Sequence, residues 1–330
     1  MPTSELIKAL GPLASLYADR HVTEIMVDAP NRVLVERDGE LEEADIRFDT
    51  PAEILRVIDS LLQLCGATLK PGETVADLRF PDSSNRALAV LPPAALTSPT
   101  LVIRKWSSSA ITWDDLLHWG FFTPDVADLL SQAMASQVST LVTGGTGSGK
   151  TTFANRLAEQ IPPDQRLVVV EAVHEMNIRH PRAVFLEAGS PPCIAMPDLL
   201  TAASKMRPDW LIVGELIGPE AMRAIELFSS GYTGLTLMHS KDPEDALARL
   251  EGLCLMANLG LGLAEIRSLI ADSIQLITCQ HRLGKTDRRR LTHVTELRGL
   301  EDNHYILQPL FRYNEEKDRL TPTGASPSWK

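Results

Sequence analysis

Leu141-Val142-Thr143-Gly144-Gly145-Thr146-Gly147-Ser148-Gly149-Lys150-Thr151-Thr152 is the stretch that decides the fold. From Gly144 to Thr151 it fits G-x-x-x-x-G-K-[ST], the spacing of a phosphate-binding loop. Glycine at these positions lets the backbone curl until successive N–H groups point inward at phosphate oxygens. At this spacing Lys150 reaches the β- and γ-phosphates of a nucleotide, and the Thr151 hydroxyl sits on Mg²⁺. The plain alternative is a glycine-rich turn with no ligand. The flanks argue against it. Thr140 to Thr143 reads as a short buried strand. Phe153, Leu157 and Ile161 recur at helical spacing after the loop, until Pro162-Pro163 stops the helix. Strand, loop, helix is the setting such a loop requires.

Outward from the loop, the rhythm is that of an α/β protein. Arg166 to Glu171 and Trp210 to Val213 are near-continuous apolar runs, as expected of strands buried on both faces. Leu235 to Met238 is a third. Helical stretches fall at Trp113 to Leu117, Asp125 to Ala135, Met196 to Lys205 and Pro219 to Ser230. Another spans Asp242 to Met256, with Asp242 as N-cap. Beyond residue 273 the alternation ends. Ser273 to Cys279, Leu291 to Leu297 and Tyr305 to Arg312 read as a short antiparallel C-terminal appendage, and the polar tail from Tyr313 reads as frayed.

Upstream, Ser4 to Tyr17 reads as one amphipathic helix and Pro51 to Leu64 as another. Strands are expected at Glu24 to Asp28, Arg32 to Glu36, Thr74 to Phe80, Arg86 to Leu91 and Leu101 to Arg104, with turns at Asp38-Gly39 and from Pro81 to Asn85. This is a smaller mixed α/β domain, residues 1–105. A serine-rich linker, 106–111, separates it from the phosphate-loop domain, 112–330.

Composition narrows the class. The 330 residues are 44% hydrophobic and 23% charged, ordinary for a globular protein. A net charge of −11 argues against a surface built to grip nucleic acid. No apolar run reaches the roughly 18 residues of a membrane span. Cys65, Cys193, Cys254 and Cys279 show no C-x-x-C spacing, so reduced thiols are expected rather than a zinc site.

Hydrolysis needs acidic groups beside the loop. Glu215 follows the strand Leu211-Ile212-Val213, and Glu171 ends Leu167 to Val170, with Glu175 four residues on. Carboxyl ends of parallel strands face the ligand crevice, so these three are candidate catalytic carboxylates. His239 ends the strand at Met238 and is a candidate phosphate sensor. Arg104 and Arg207 are candidate phosphate contacts, each weighed against a solvated arginine. Lys285, Arg288, Arg289 and Arg290 form a basic run read as a solvated turn between strands.

Taken together, these residues resemble the type II and type IV secretion ATPase superfamily, on its conjugative-transfer (TrbB-like) side. The likeness runs from roughly residue 20 to roughly residue 310. Gly144 to Thr152 matches the phosphate loop, and Val169 to Met176 the acidic box. Arg207-Pro208-Asp209 through Gly214-Glu215 and Gly218-Pro219-Glu220-Ala221 match the second nucleotide motif. Gly231 to His239 matches the histidine box. Leu91-Pro92-Pro93, Pro99 and Ile103-Arg104-Lys105 resemble the approach to the motor domain, and a cysteine-pair zinc element is missing. Three positions depart from the pattern: Ala172, Ile217 and Tyr232 stand where polar groups are usual.

The resemblance implies a RecA-like motor domain behind the small N-terminal domain. It implies ATP and Mg²⁺ as cofactors, with Gly144, Gly145, Thr146, Gly147, Ser148, Gly149, Lys150, Thr151, Thr152, Arg104 and Arg207 at the nucleotide. It further implies a homohexamer, cytoplasmic and peripheral to the inner membrane, that works on channel subunits and a coupling protein. The activity implied is ATP hydrolysis powering conjugation, type IV secretion or pilus assembly. The three departures keep a second expectation open, a nucleotide-binding structural subunit with weak turnover. A motor acting directly on nucleic acid is disfavoured by the acidic balance.

Overall fold

In a computed structural model the chain is described over residues 3–37, 40–81, 85–105, 111–189, 194–283 and 288–329. The turns expected at Asp38-Gly39 and 82–84, linker residues 106–110, Cys193 and Lys285 lie outside those residues. The chain divides into two compact units, Met1–Ala110 and Ile111–Lys330.

The first unit runs α1 (Ser4–Leu10), α2 (Ala14–Ala18), β1 (Val22–Ala29), β2 (Arg32–Arg37), β3 (Glu40–Glu43), α3 (Pro51–Leu64), β4 (Val75–Arg79), β5 (Arg86–Val90) and β6 (Thr100–Arg104). The helix expected from Ser4 to Tyr17 is broken at Gly11–Leu13 by a 3₁₀ turn, because Gly11 takes φ +55° and Pro12 follows it. The six strands form one antiparallel sheet in the order β3-β2-β1-β6-β5-β4. Alternate residues such as Ile25 and Val27, or Leu101 and Ile103, are fully buried against Ile54, Ile58 and their helical neighbours.

The second unit runs α4 (Trp113–His118), α5 (Pro124–Ala135), β7 (Thr140–Gly144), α6 (Lys150–Ala158), β8 (Leu167–Glu171), β9 (Ala183–Glu187), α7 (Met196–Ser204), β10 (Trp210–Glu215) and α8 (Glu220–Ser229). It continues with β11 (Thr233–Met238), α9 (Pro243–Met256), α10 (Leu263–Ser273), β12 (Leu276–Leu283), β13 (Arg288–Glu301), β14 (His304–Asn314) and β15 (Arg319–Pro322). Its nine strands order as β15-β14-β13-β12-β7-β11-β10-β8-β9. The six from β12 to β9 are parallel to one another. Helices cover both faces. Val142, Val169 and Ile212 pack towards Phe121, Phe122 and Phe153. Leu141, Val168 and Val213 pack towards α7 to α10. Burial on both faces is why these strands carry no polar alternation. Asp242 does cap α9, accepting from the Asp245 N–H at 2.7 Å.

Two C-terminal expectations change. The stretch read as the first antiparallel strand, β12, does pair antiparallel with β13, but its other edge pairs parallel with β7, so it joins the appendage β13 to β15 to the parallel sheet. Parallel return needs a crossover, and α10, not anticipated from the sequence, supplies it. The tail is not frayed: β15 pairs with β14, Leu320 is buried, and Trp329 packs on the core.

Candidate functional site at the carboxyl ends of the central strands

The loop between β7 and α6 is shaped from outside by hydrogen bonds to its carbonyls. The Ser148 hydroxyl donates to the Gly145 oxygen at 2.7 Å, and Lys150 Nζ donates to the same oxygen at 3.3 Å. Gln280 Nε2 donates to the Ser148 oxygen at 3.1 Å, and Arg289 Nε to the Gly147 oxygen at 3.0 Å. Gly144 lies so close to β12 that a Cβ there would meet the Gln280 oxygen at 2.4 Å. Gly147 and Gly149 take φ +69° and +90°, which only glycine adopts freely. Gly145, Thr146 and Gly147 are exposed, whereas Ser148 is buried. The first N–H groups of α6 have no partner within the helix, so loop and helix start together present donors to an anion. Thr151 and Thr152, both half-buried, stand in that first turn.

Register brings the candidate carboxylates and the histidine alongside. Met238 pairs with Thr143 across β11 and β7, which sets His239 beside the loop. Glu215 pairs with Leu237, after an irregularity at Gly214. His239 Nε2 lies 3.0 Å from Glu215 Oε1, and His239 Nδ1 lies 3.1 Å from Lys150 Nζ. A neutral imidazole protonated at Nε2 satisfies both contacts, donating to Glu215 and accepting from Lys150. Lys150 Nζ is also 3.6 Å from Glu215 Oε1. Burial lowers the Lys150 pKa, partly offset by the charges of Glu215 and then Glu175. Lys150, Glu215, Glu175 and His239 thus form one electrostatic unit.

Glu171 is placed differently from the expectation of a catalytic carboxylate. Its Oε1 accepts from the Glu175 and Met176 N–H groups, both at 2.9 Å, and its Oε2 lies 2.8 Å from His174 Nδ1. Only 3% of the residue is exposed. Both of its oxygens are thus occupied by its own loop, in the turn that carries Glu175. Helix α6 holds the same loop further along, where Asn155 Oδ1 accepts from the Asn177 N–H at 3.1 Å.

The two arginines belong to different units. Arg207 is exposed, with φ +56°, and precedes β10. Glu215 ends that strand, and about 3.3 Å per residue puts Arg207 roughly 20 Å or more away at the opposite end of the sheet. Arg104 ends β6 in the first unit, 3.7 Å from Glu24. Of the three departures, Ala172 and Ile217 are exposed, and the Tyr232 hydroxyl donates to the Ser204 carbonyl at 3.2 Å. Tyr232 thereby ties the start of β11 to the end of α7.

Sequence reasoning missed Gln280 and Arg289. Both act through the parallel pairing of β12 with β7, a long-range contact with no local signal. The basic run was the one hint, and it was read as solvated.

Residues 7–304 match the family described as "Type II/IV secretion system protein". The conjugal transfer protein TrbB of Rhizobium radiobacter is 31% identical over 302 residues, covering 90% of each chain. The type IV secretion system protein PtlH of Bordetella pertussis is 30% identical over 220 residues, 64% of this chain and 60% of that one. Among solved structures, the pilus retraction motor PilT with bound ADP has a TM-score of 0.60 at 18% identity, covering 92% of this chain and 80% of that one. That likeness is one of fold, a small N-terminal α/β unit followed by a RecA-like unit. No helix among the described residues is long and apolar enough to cross a membrane. With its phosphate loop, strand-end carboxylate and histidine in one sheet, and with nearly its whole length matched, this chain belongs to the type II/IV secretion system protein family, on the side of the conjugal-transfer proteins.

Proposed function

We propose that this chain is a homohexameric ATPase whose hydrolysis of ATP powers conjugative or related type IV secretion, or pilus assembly. It would act in the cytoplasm, peripheral to the inner membrane, on channel subunits and a coupling protein, without gripping nucleic acid. Residues 1–105 form the N-terminal domain, 106–111 the linker and 112–330 the motor domain.

The observation that carries this reading is the contact set of Lys150, Glu215 and His239 beside a loop pre-shaped for phosphate. Gly144 to Thr152 cradle the phosphates, and Lys150 neutralises the outer ones. Lys150 is now held by Glu215 and His239, so an arriving phosphate competes for it and frees Glu215 to orient the attacking water. Glu175, held by the Glu171 turn, supplies a second carboxylate. His239 links Glu215 to the phosphate and reports its presence. Arg104 stays a candidate contact for the nucleotide phosphates.

The residues present fit Mg²⁺, which takes one or two protein oxygens and completes its shell with phosphate and water. Thr151 would hold it directly and Glu215 through water. When bound, the ion would neutralise charge developing on the phosphate oxygens. Among the described residues no group of three or more His, Cys, Asp or Glu is placed to hold a metal ion.

Mg²⁺-dependent phosphate release by the purified chain is the test. Lys150→Ala should abolish nucleotide binding, whereas Glu215→Gln should keep binding and lose turnover. Activity equal to the parent in either variant would overturn the reading. Tight binding with no turnover in the parent would instead favour a structural subunit.

A further inference from the structure

We infer that Arg289, paired across the β12–β13 ribbon with Arg282, sets the anion affinity of the phosphate loop from outside it, as a positioning residue that need not touch the ligand. The inference rests on the reading that this loop binds nucleotide phosphate.

Strand β12 returns parallel to β7 with Gln280 opposite Gly144, and β13 returns antiparallel with Arg289 opposite Arg282. Both guanidinium groups therefore arrive at the middle of the loop. Arg289 Nε donates to the Gly147 oxygen at 3.0 Å. A Cβ on Gly147 would lie 3.0 Å from Arg282 Nη1, and one on Gly149 would lie 3.5 Å from Arg289 Cδ. Residue alternation along β13 sorts the basic run. Arg288 turns to Asp318 at 3.1 Å and Arg290 to the Trp119 carbonyl at 2.9 Å, while Arg289 between them turns to the loop. Arg289, although exposed, thus lies on a strand and holds the loop.

Two physical effects follow. The Gly147 carbonyl and the Ser148 N–H share one planar peptide unit. A charged donor on the carbonyl polarises that unit and strengthens its N–H, which bonds the Gly145 oxygen at 3.3 Å and would turn to an arriving phosphate. Gln280, bonded to the Ser148 carbonyl, does the same for the Gly149 N–H. The second effect is charge: Arg289 and Arg282 each set a guanidinium beside the middle of the loop, where an anion would bind.

The experiment uses the full chain, with MgADP binding measured by calorimetry and hydrolysis by initial rates. R289Q should weaken MgADP by about tenfold, the worth of one charge-assisted hydrogen bond. It should raise KM by a similar factor and leave kcat within about twofold. R289K, which keeps the charge but not the Nε donor, should recover part of the loss. R288Q, one residue away and on Asp318, should bind as the parent does. The nucleotide-free melting temperature of R289Q shows whether folding is intact; if it drops, R289K alone carries the test through its own weakened binding. Parent-like affinity in R289Q, or equal losses in R289Q and R288Q, would overturn the inference. If the parent itself fails to bind MgADP, the nucleotide reading fails first; if the parent binds and R289Q matches it, only the role of Arg289 falls.

Discussion

At the scale of single residues, the two strand-end glutamates of β8 and β10 have opposite fates. Glu215 keeps its side chain about one-third exposed and in contact with a lysine and a histidine. Glu171 is buried, with two backbone N–H groups on one oxygen and His174 on the other. A carboxylate is replaceable in the first setting and not in the second. Glu171→Ala should therefore lower unfolding free energy by about 2–4 kcal/mol, since it strands two backbone donors in a buried turn. Glu215→Gln should change it by less than about 0.5 kcal/mol, as at an ordinary half-exposed site. Urea melts of the two variants check this, and equal stability losses would refute the division of roles. Both residues were legible in the sequence as strand-end acids. Which of them faces the loop was not, because that depends on the turn after β8 folding back onto its own strand end.

Among elements, the sheet owes its register to close approaches that tolerate no side chain. Gly234 in β11 is packed so tightly under α8 that a Cβ there would lie 2.5 Å from the Phe228 ring. Its N–H is also taken by the Ser139 hydroxyl at 2.9 Å. Gly234→Ala should cost about 1–3 kcal/mol by overpacking. It should also displace His239, which the same strand delivers to the loop, so that turnover falls together with the melting temperature. A variant as stable and active as the parent would show that β11 can shift without consequence. Elements with strong local patterns, such as α3, α9 and the buried strands β8 and β10, lie where periodicity and capping put them. Strand β9 was not anticipated. It sits at the sheet edge, is only partly buried, and carries an exposed Phe185, and its only mark in the sequence is the four-residue apolar run Ala183-Val184-Phe185-Leu186.

Considered whole, each unit has its own core, and the thiols report on them. Cys254 and Cys279 are buried in the second unit; burial pushes their thiols up to about 12 and about 11 respectively. Cys65, half-buried in the first unit, is raised by burial as well. Since the thiolate is the reactive form, native chain at pH 8 should leave Cys254 and Cys279 unlabelled by iodoacetamide until denaturant is added. Mass spectrometry of the labelled peptides checks this. Adducts on Cys279 at the rate of an exposed thiol would mean that β12 opens readily beside the loop.

The sequence by itself determined the local setting: a phosphate-loop motif between a strand and a helix, acids and a histidine at later strand ends, and a serine-rich stretch at 106–111 between two patterns of elements. These are local signals, carried by glycine conformation, caps and runs of apolar residues, and they survive without knowledge of which strand pairs with which. Only the tertiary structure decided that β12 joins the parallel sheet beside β7, that Glu171 is spent on its own turn, that Arg207 lies at the far end of the sheet, and that Arg289 braces the loop. The first and last of these depend on strand order and register between segments up to about 140 residues apart, whereas Glu171 and Arg207 are placed by their own turn and strand direction. The physical reason is that a strand's apolar pattern records that both its faces are covered, and not by which neighbour it is hydrogen-bonded.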